Sequence, residues 1–504
     1  MREPASPSPS APMDEVVQKS VRGAATTTVA GLLGRFAGLL TTLLVTHFVQ
    51  KNEYGQANLA LIIATVTNAL TLFAPQQALL TRREHFEEAA SLVQTYLLWL
   101  GVAVFGSLLW LGQPLLGLVH QSSALPLLQL YCVALWLERA ALIPAVRLRY
   151  RLQFGELLRV DLLGDALYVV VTMGGAVAGL GAICLPLGVL ARQLTRVLVL
   201  RFVLKLPVLP DWPPPWSDAS KRLGRELWRM TWPIYLSSLV ELSTLYMDNV
   251  FVGHRYSMGA QGIYAVGYTI LMTPTETIAM YAASAMVRAL GVSDRSQRQH
   301  NYLQGLRYVS LFLVPLGIGA ALVAETFEAA LLPARWHGVA GVMQGLAIGA
   351  VSLGFHRMAF AQLTALHESR KAGLIYATQL ISFVTGLGVV ALSDSARLHM
   401  DRVALAVSLA LLLAAVCGTV MTLRVDGLPL RRVVDSLWPA LVSTTLMAVV
   451  LLSLRPVWRW TQVAASPVRL AAEVAVGAAV YTACMRWLFP SLFAQVRRFI
   501  TRRK

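Results

Sequence analysis

At 504 residues, 56% hydrophobic and only 14% charged, with a mean hydropathy of +0.60, the chain is far too apolar for a soluble protein of its size and reads as a polytopic membrane protein. Its net charge of +17 does not point to nucleic acid, because the Lys and Arg fall between apolar runs with no basic-aromatic motif beside them. Cytoplasmic loops facing anionic lipid account for the charge.

Residues 1–22, rich in Ser, Pro and Ala, are expected to form a disordered cytoplasmic tail. A bilayer core of roughly 30 Å needs about 20 apolar helical residues. Runs of that kind place spans at 24–48, 56–80, 91–112, 124–146, 160–180, 181–204, 229–252, 260–287, 308–332, 339–366, 374–394, 403–423, 437–454 and 470–489. The fold class is therefore an all-α polytopic membrane protein of about 14 transmembrane helices. The first run is a full-length span without a short apolar region and cleavage site, so it is not a signal peptide. Gly179-Leu180-Gly181 supplies the turn between the closely abutting fifth and sixth spans.

The longest connection, 205–228, contains Pro207, Pro210 and Pro213-Pro214-Pro215 and reads as a cytoplasmic linker. It separates an N-terminal six-helix lobe at 23–204 from a C-terminal six-helix lobe at 229–424. Two additional helices at 425–489 and a basic cytoplasmic tail at 490–504 complete the chain. With the N-terminus inside, 29 of the 43 Lys and Arg fall in inner segments and eight in outer ones, which places both termini in the cytoplasm. The even number of spans per half makes any repeat parallel. A faint one is visible in Tyr54-Gly55-Gln56-Ala57 and Gln261-Gly262-Ile263-Tyr264.

Those turns carry a family likeness. Lys51-Asn52-Glu53-Tyr54-Gly55-Gln56-Ala57, Asp248-Asn249-Val250-Phe251-Val252-Gly253 and Gly262-Ile263-Tyr264-Ala265-Val266-Gly267-Tyr268 resemble the polysaccharide flippases of the multidrug/oligosaccharidyl-lipid/polysaccharide exporter superfamily. The resemblance covers most of the first twelve spans. It implies two six-helix lobes around a central cavity that alternates between faces and carries undecaprenyl-diphosphate-linked oligosaccharide outward across the bacterial inner membrane. The last two spans are then an addition to a twelve-helix core. The fourteen-span count also resembles the lipid II flippase branch. A polysaccharide polymerase and a chain-length regulator are the partners that such a role implies, beside the lipid-linked glycan and the membrane lipid.

A diphosphate carried through a bilayer needs fixed cations. Six Arg lie inside spans: Arg35, Arg139, Arg192, Arg196, Arg357 and Arg486. Arg35 follows the start of its span by eleven residues, about 16 Å at 1.5 Å each, near the midplane. Gly34 and Gly38 beside it form a small-residue face for a neighbouring helix. Substrate binding and pairing with an acid such as Glu241 both fit Arg35. Arg192 and Arg196, one turn apart, share a face suited to two phosphate oxygens, though snorkelling also explains Arg196. Arg139, next to Glu138, is either a cavity cation or half of an ion pair. Arg357 lies in the span of Gly341, Gly345 and Gly349, a close-packing register, and could face the cavity. Arg486, near the inner end of the last span, reads as snorkelling.

Glu241 and Asp248 are seven residues apart on roughly one helix face, and Glu276 follows Pro274, which can break the backbone ladder. These three acids either bind a coupling ion or balance the arginines. Asp161 and Asp165, near the inner start of the fifth span, read as interfacial. The tryptophans cluster toward span ends as an interfacial belt.

Nothing in the sequence marks an enzyme. It has no G-x-x-x-x-G-K-[ST] loop, H-E-x-x-H motif or G-x-S-x-G elbow. Cys132, Cys184, Cys417 and Cys484 lie in apolar runs without metal or disulfide spacing, and no cofactor is expected. An ion-coupled drug or metabolite antiporter of the same superfamily is the main alternative, and it would need fewer buried cations. A membrane glycan polymerase would need larger external loops than 455–469.

Overall fold

The structure is a computed structural model that describes residues 31–71, 79, 86–118, 121–208, 218–290, 295–366, 368–393, 400–460 and 465–501. Side chains of some helix residues, Glu241 among them, lie outside the description. All regular structure among the described residues is helical. Lipid explains this, since each backbone N–H and C=O in hydrocarbon must find its partner within its own segment.

The helices in chain order are α1 (Gly31–Val45), α2 (Lys51–Thr71), α3 (Phe86–Leu118), α4 (Leu125–Tyr150), α5 (Phe154–Val177), α6 (Cys184–Leu198) and α7 (Asp218–Arg255). There follow α8 (Met258–Leu290), α9 (Arg295–Leu331), α10 (Val339–Ala365), α11 (Ser369–Leu392), α12 (Met400–Asp426), α13 (Leu430–Trp460), α14 (Pro467–Leu488) and the short α15 (Pro490–Thr501). Each predicted span is matched by one of α1 to α14, and ten are long and apolar enough to cross a membrane by themselves. The first residues of the predicted first span lie outside the described residues.

The chain divides into two compact units, 1–246 and 247–504, with the boundary inside α7. In the first unit α4 is central, packing on α2, α3 and α6, and α5 pairs with α6. In the second unit α10 takes that role against α8, α9 and α12, and α11 pairs with α12. The same pairing order thus recurs six helices later, giving the repeat that the sequence shows only in two turns. Helices α13 and α14 are packed on α9 and on each other.

Close packing follows small residues. A Cβ on Gly345 would come within 2.7 Å of the Asp401 carbonyl and Ala404 Cβ, so α10 and α12 approach nearly to backbone contact. Ser408 bridges them, its hydroxyl donating to the Gly345 carbonyl at 2.6 Å and accepting from the Gly349 N–H at 3.0 Å. The predicted turn between α5 and α6 is present, with Gly179 at φ +77° and Gly181 at φ +56°, a region that side chains with a Cβ disfavour. At the start of α10, buried Glu328 accepts from the N–H groups of Gly338 (3.1 Å) and Ala340 (2.6 Å), satisfying donors that a helix N-terminus leaves open.

Each unit also fastens the chain at a helix end, the segment following α6 in the first and the last residue of α12 in the second. In the first, Gln94 of α3 donates to the Val208 carbonyl at 2.7 Å and Arg147 of α4 to the Pro207 carbonyl at 3.3 Å. In the second, Gln299 of α9 donates to the Asp426 carbonyl at 2.6 Å, while Arg298 reaches the Asp426 carboxylate at 3.4 Å and Gln362 of α10 donates to it.

Candidate functional site

The densest group of intramembrane charge in the first unit lies on the α5–α6 hairpin. Asp161 and Asp165 are one turn apart on α5, and Arg192 and Arg196 are one turn apart on α6. Because residues four apart share a helix face, the antiparallel helices meet as a two-rung ladder. Arg192 Nη2 lies 2.8 Å from Asp165 Oδ1, and Arg196 Nη2 lies 3.0 Å from Asp161 Oδ1. The two aspartates are therefore the partners of the arginines rather than isolated interfacial acids.

Gly164 makes this approach possible. A Cβ there would lie 3.1 Å from Arg196 Cγ and 3.3 Å from the Arg192 carbonyl. On its other side Asp165 rests against Gly34 of α1, with no room for a side chain between them, so α1 comes to the same cluster. Gly38, its predicted companion, has open space around it. Arg35 follows Gly34 on α1 and is half-buried.

The ladder leaves capacity unused. Arg192 is 40% exposed against 12% for Asp165. The Nε atoms of Arg192 and Arg196 are buried and find no acceptor among the described residues, so the capacity open to a ligand lies on the Nη groups. A guanidinium has five donors, so each arginine keeps N–H groups beyond those its aspartate occupies.

Arg139 has a different setting. It is 1% exposed, and its donors go to the Asn68 side chain (2.8 Å), the Asn68 carbonyl (3.1 Å), the Leu97 carbonyl (3.4 Å) and the Thr71 hydroxyl. Its guanidinium also stands 5.0 Å from the Phe105 ring centroid. No carboxylate is among these hydrogen-bond acceptors, although Glu138 beside it acts on it electrostatically, and the group joins α2, α3 and α4. Asn68 is the residue that sequence reasoning misses, since a lone Asn in an apolar run carries no spacing signal.

In the second unit the acids sit at the α7–α8 hairpin. Asp248 is fully buried, and its carboxylate accepts from the Asn249 N–H (2.7 Å), the Asn249 side chain (3.1 Å) and the Tyr264 hydroxyl (2.8 Å). A turn further along α8, Tyr268 donates to Glu276 at 3.4 Å. The residues of these turns thus tie the hairpin together. A Cβ on Gly253 would meet Gln261 Cδ at 3.0 Å and Met258 Cε at 2.9 Å, which explains a glycine there. Arg357 is half-buried on α10, beside buried His356. The Glu241 side chain is outside the described residues. Among the described residues no group of His, Cys, Asp and Glu could hold a metal ion.

The sequence profile of a family described as polysaccharide biosynthesis protein matches residues 44–341. No curated protein matches the sequence. Among solved structures, the lipid II flippase MurJ in an inward closed conformation is similar with a TM-score of 0.72, at 12% identity over 92% of this chain and 98% of that one. An inward-facing multidrug resistance MATE family transporter of the MOP superfamily gives 0.65, at 14% identity over 79% and 98%. A MOP superfamily transporter from Pyrococcus furiosus gives 0.56, at 15% identity over 81% and 96%. At these identities the likeness is one of fold.

Proposed function

The chain belongs to the polysaccharide biosynthesis protein family, and from that premise we propose that it is a membrane transporter that flips polyprenyl-diphosphate-linked oligosaccharide repeat units from the cytoplasmic to the periplasmic face of a bacterial inner membrane. Both termini are cytoplasmic in this reading, following the distribution of Lys and Arg. Transfer proceeds by alternating access, with the sugar and diphosphate sheltered by protein and the polyprenyl tail in lipid.

The observation that carries the reading is the Arg192–Arg196 pair. Two guanidinium groups one turn apart, braced by aspartates at 2.8 and 3.0 Å, with the Arg192 side chain 40% exposed and N–H groups beyond those the aspartates occupy, form a preorganised anchor for two phosphate oxygens. The aspartates lower the cost of burying the charge; Arg192 keeps the more accessible fork, while Arg196 also donates Nη1 to Gln193 at 3.3 Å. Arg35 on α1 and Arg357 on α10 are further candidate cations. Arg139 is assigned to holding the first unit together, because its donors are engaged within it. Glu241, Asp248 and Glu276 are the candidates for ion coupling or charge balance.

The test is transport of defined lipids in proteoliposomes. Purified protein should move polyprenyl-diphosphate oligosaccharide to the far leaflet, and Arg192→Gln with Arg196→Gln should abolish this in folded protein. Movement of lipid II or of cationic drugs, with none of the oligosaccharide lipid, would overturn the reading. Impermeant thiol labelling of single cysteines in 205–228 from the periplasmic side would overturn the orientation.

A further inference from the structure

We propose that the face of α14 turned away from α13, closed at one end by α15, binds one phospholipid with an anionic headgroup, its phosphate on Arg486 and an acyl chain along the alanines above it. This rests on the chain spanning a membrane and not on the identity of the transported substrate.

A groove of about 490 Å³ runs along this face. Its floor is Ala478, Ala479, Thr482 and Ala483, and its end carries Arg486 and Trp487 with Phe493 of α15. On the opposite face of α14, Gly477 meets Leu451 and Met447 of α13, and the Tyr481 hydroxyl donates to the Leu311 carbonyl of α9 at 2.8 Å. Helix packing therefore uses the other side of α14. Residues 478, 479 and 483 are alanines where a lipid-facing helix usually presents bulkier side chains, and this leaves a recess along the face.

The polar end has its own logic. Arg486 is exposed and has no hydrogen-bond or ion-pair partner among the described residues. A guanidinium at the edge of hydrocarbon gains most from a phosphate that it can fork. Trp487 beside it is 82% exposed, and an exposed indole at a span end belongs at headgroup level. The wall is fixed rather than loose, since α15 turns back at Pro490 and buries Leu492 against Leu311, Val314, Ala440 and Met485, which sets Phe493 at the groove. Charge selects the occupant. A zwitterionic headgroup brings its own cation to the phosphate, whereas an anionic one leaves net negative charge for Arg486.

The experiment uses the full chain in nanodiscs of phosphatidylcholine containing a small fraction of lipid with brominated acyl chains. The Trp487 signal is the fluorescence difference between wild type and Trp487→Phe. Brominated phosphatidylglycerol should quench it about fivefold more effectively than brominated phosphatidylcholine at equal mole fraction, the ratio equivalent to roughly 1 kcal/mol for one cation near an anionic lipid. Arg486→Gln should bring that ratio to one while Arg486→Lys retains most of it. Equal quenching by both headgroups in wild type, or an unchanged ratio in Arg486→Gln, would overturn the proposal. So would displacement of the brominated lipid by polyprenyl phosphate but not by unlabelled phosphatidylglycerol, which would give the groove to a different lipid.

Discussion

Arg192 and Asp165 face each other at 2.8 Å across the α5–α6 hairpin, and each stands equally far in sequence from the point between Ala178 and Gly179. Arg196 and Asp161 are equidistant from the same point and form the next rung at 3.0 Å. Both arginines therefore have a structural and a transport role open to them, and neutralising one rung separates the two. Arg192→Gln with Asp165→Asn keeps shape and removes both charges. Because the pair is partly exposed, folded yield should stay close to wild type, while transport of the diphosphate lipid should fall at least tenfold. Recovery of full transport in the double variant would reduce the rung to a structural pair.

A sharper steric test lies on α1. Gly34 abuts the Asp165 carboxylate with no space for a methyl group, while a methyl group on Gly38, one turn on, would meet nothing within 4 Å. Gly34→Ala should destabilise the protein by about 1–3 kcal/mol, the usual cost of overpacking, by turning the Asp165 carboxylate off Arg192 or pushing α1 from α5. Gly38→Ala should be neutral or stabilising by up to about 1 kcal/mol, because Ala is the better helix former. Thermal unfolding in detergent reads both, and equal shifts would contradict the packing.

The contrast between these glycines shows what sequence can disclose. The spacing of Gly34 and Gly38 marks a smooth face, but only the structure says which position a neighbour occupies. The helices themselves are legible, since apolar length alone defines spans, and the Gly179–Gly181 turn is legible because two left-handed residues need glycine. The shared face of Arg192 and Arg196 follows from their four-residue spacing. Their partners escape notice although Asp161 and Asp165 have the same spacing, and folding the two spans about the glycine turn would have matched the rungs. The hydrogen-bond partners of Arg139, as distinct from its neighbour Glu138, escape the sequence for a deeper reason. Carbonyls, Asn68 and Phe105 can satisfy a guanidinium as well as a carboxylate can, and such partners leave no charge pattern in the sequence.

That setting separates Arg139 from the other cations. Arg139→Met removes the donors that the Asn68 and Leu97 carbonyls and the Thr71 hydroxyl share. Each buried group left unpaired costs about 1–3 kcal/mol. Folded yield should drop severely, yet the transport rate per folded molecule should stay within about twofold of wild type. Loss of transport in a variant of normal stability would instead return Arg139 to the substrate path.

At the α7–α8 hairpin, Tyr264→Phe and Asp248→Asn probe the same hydrogen bond from opposite ends. Tyr264→Phe leaves a fully buried carboxylate with fewer donors and should cost about 1–3 kcal/mol of stability. Asp248→Asn keeps a carbonyl oxygen for the tyrosine and removes the charge, so its stability should change less. If Asp248 binds the coupling ion, Asp248→Asn should lose the response of transport to an imposed ion gradient while Tyr264→Phe keeps it. Glu276→Gln, which preserves an acceptor for Tyr268, provides the parallel test at the second acid. A full gradient response in both neutral variants would leave only charge balance for these acids.

Arg35 is the remaining cation whose role a single substitution cannot decide. It follows the glycine that seats α1 against Asp165, so its backbone position is fixed by the same contact that anchors the ladder. As a substrate cation, Arg35→Ala should abolish outward transfer and leave lipid-linked repeat units on the cytoplasmic side. Arg35→Lys should restore transfer only in part, because an ammonium lacks the planar fork that engages two phosphate oxygens. As a charge-balancing group it would behave otherwise. Removing it would strand an acid such as Glu241, and the double variant Arg35→Gln with Glu241→Gln would regain both stability and transport. Folded yield and glycan transfer measured side by side distinguish the two. Normal export from the double variant would end the substrate assignment, whereas continued failure in a well-folded protein is the outcome expected of a residue that holds the diphosphate.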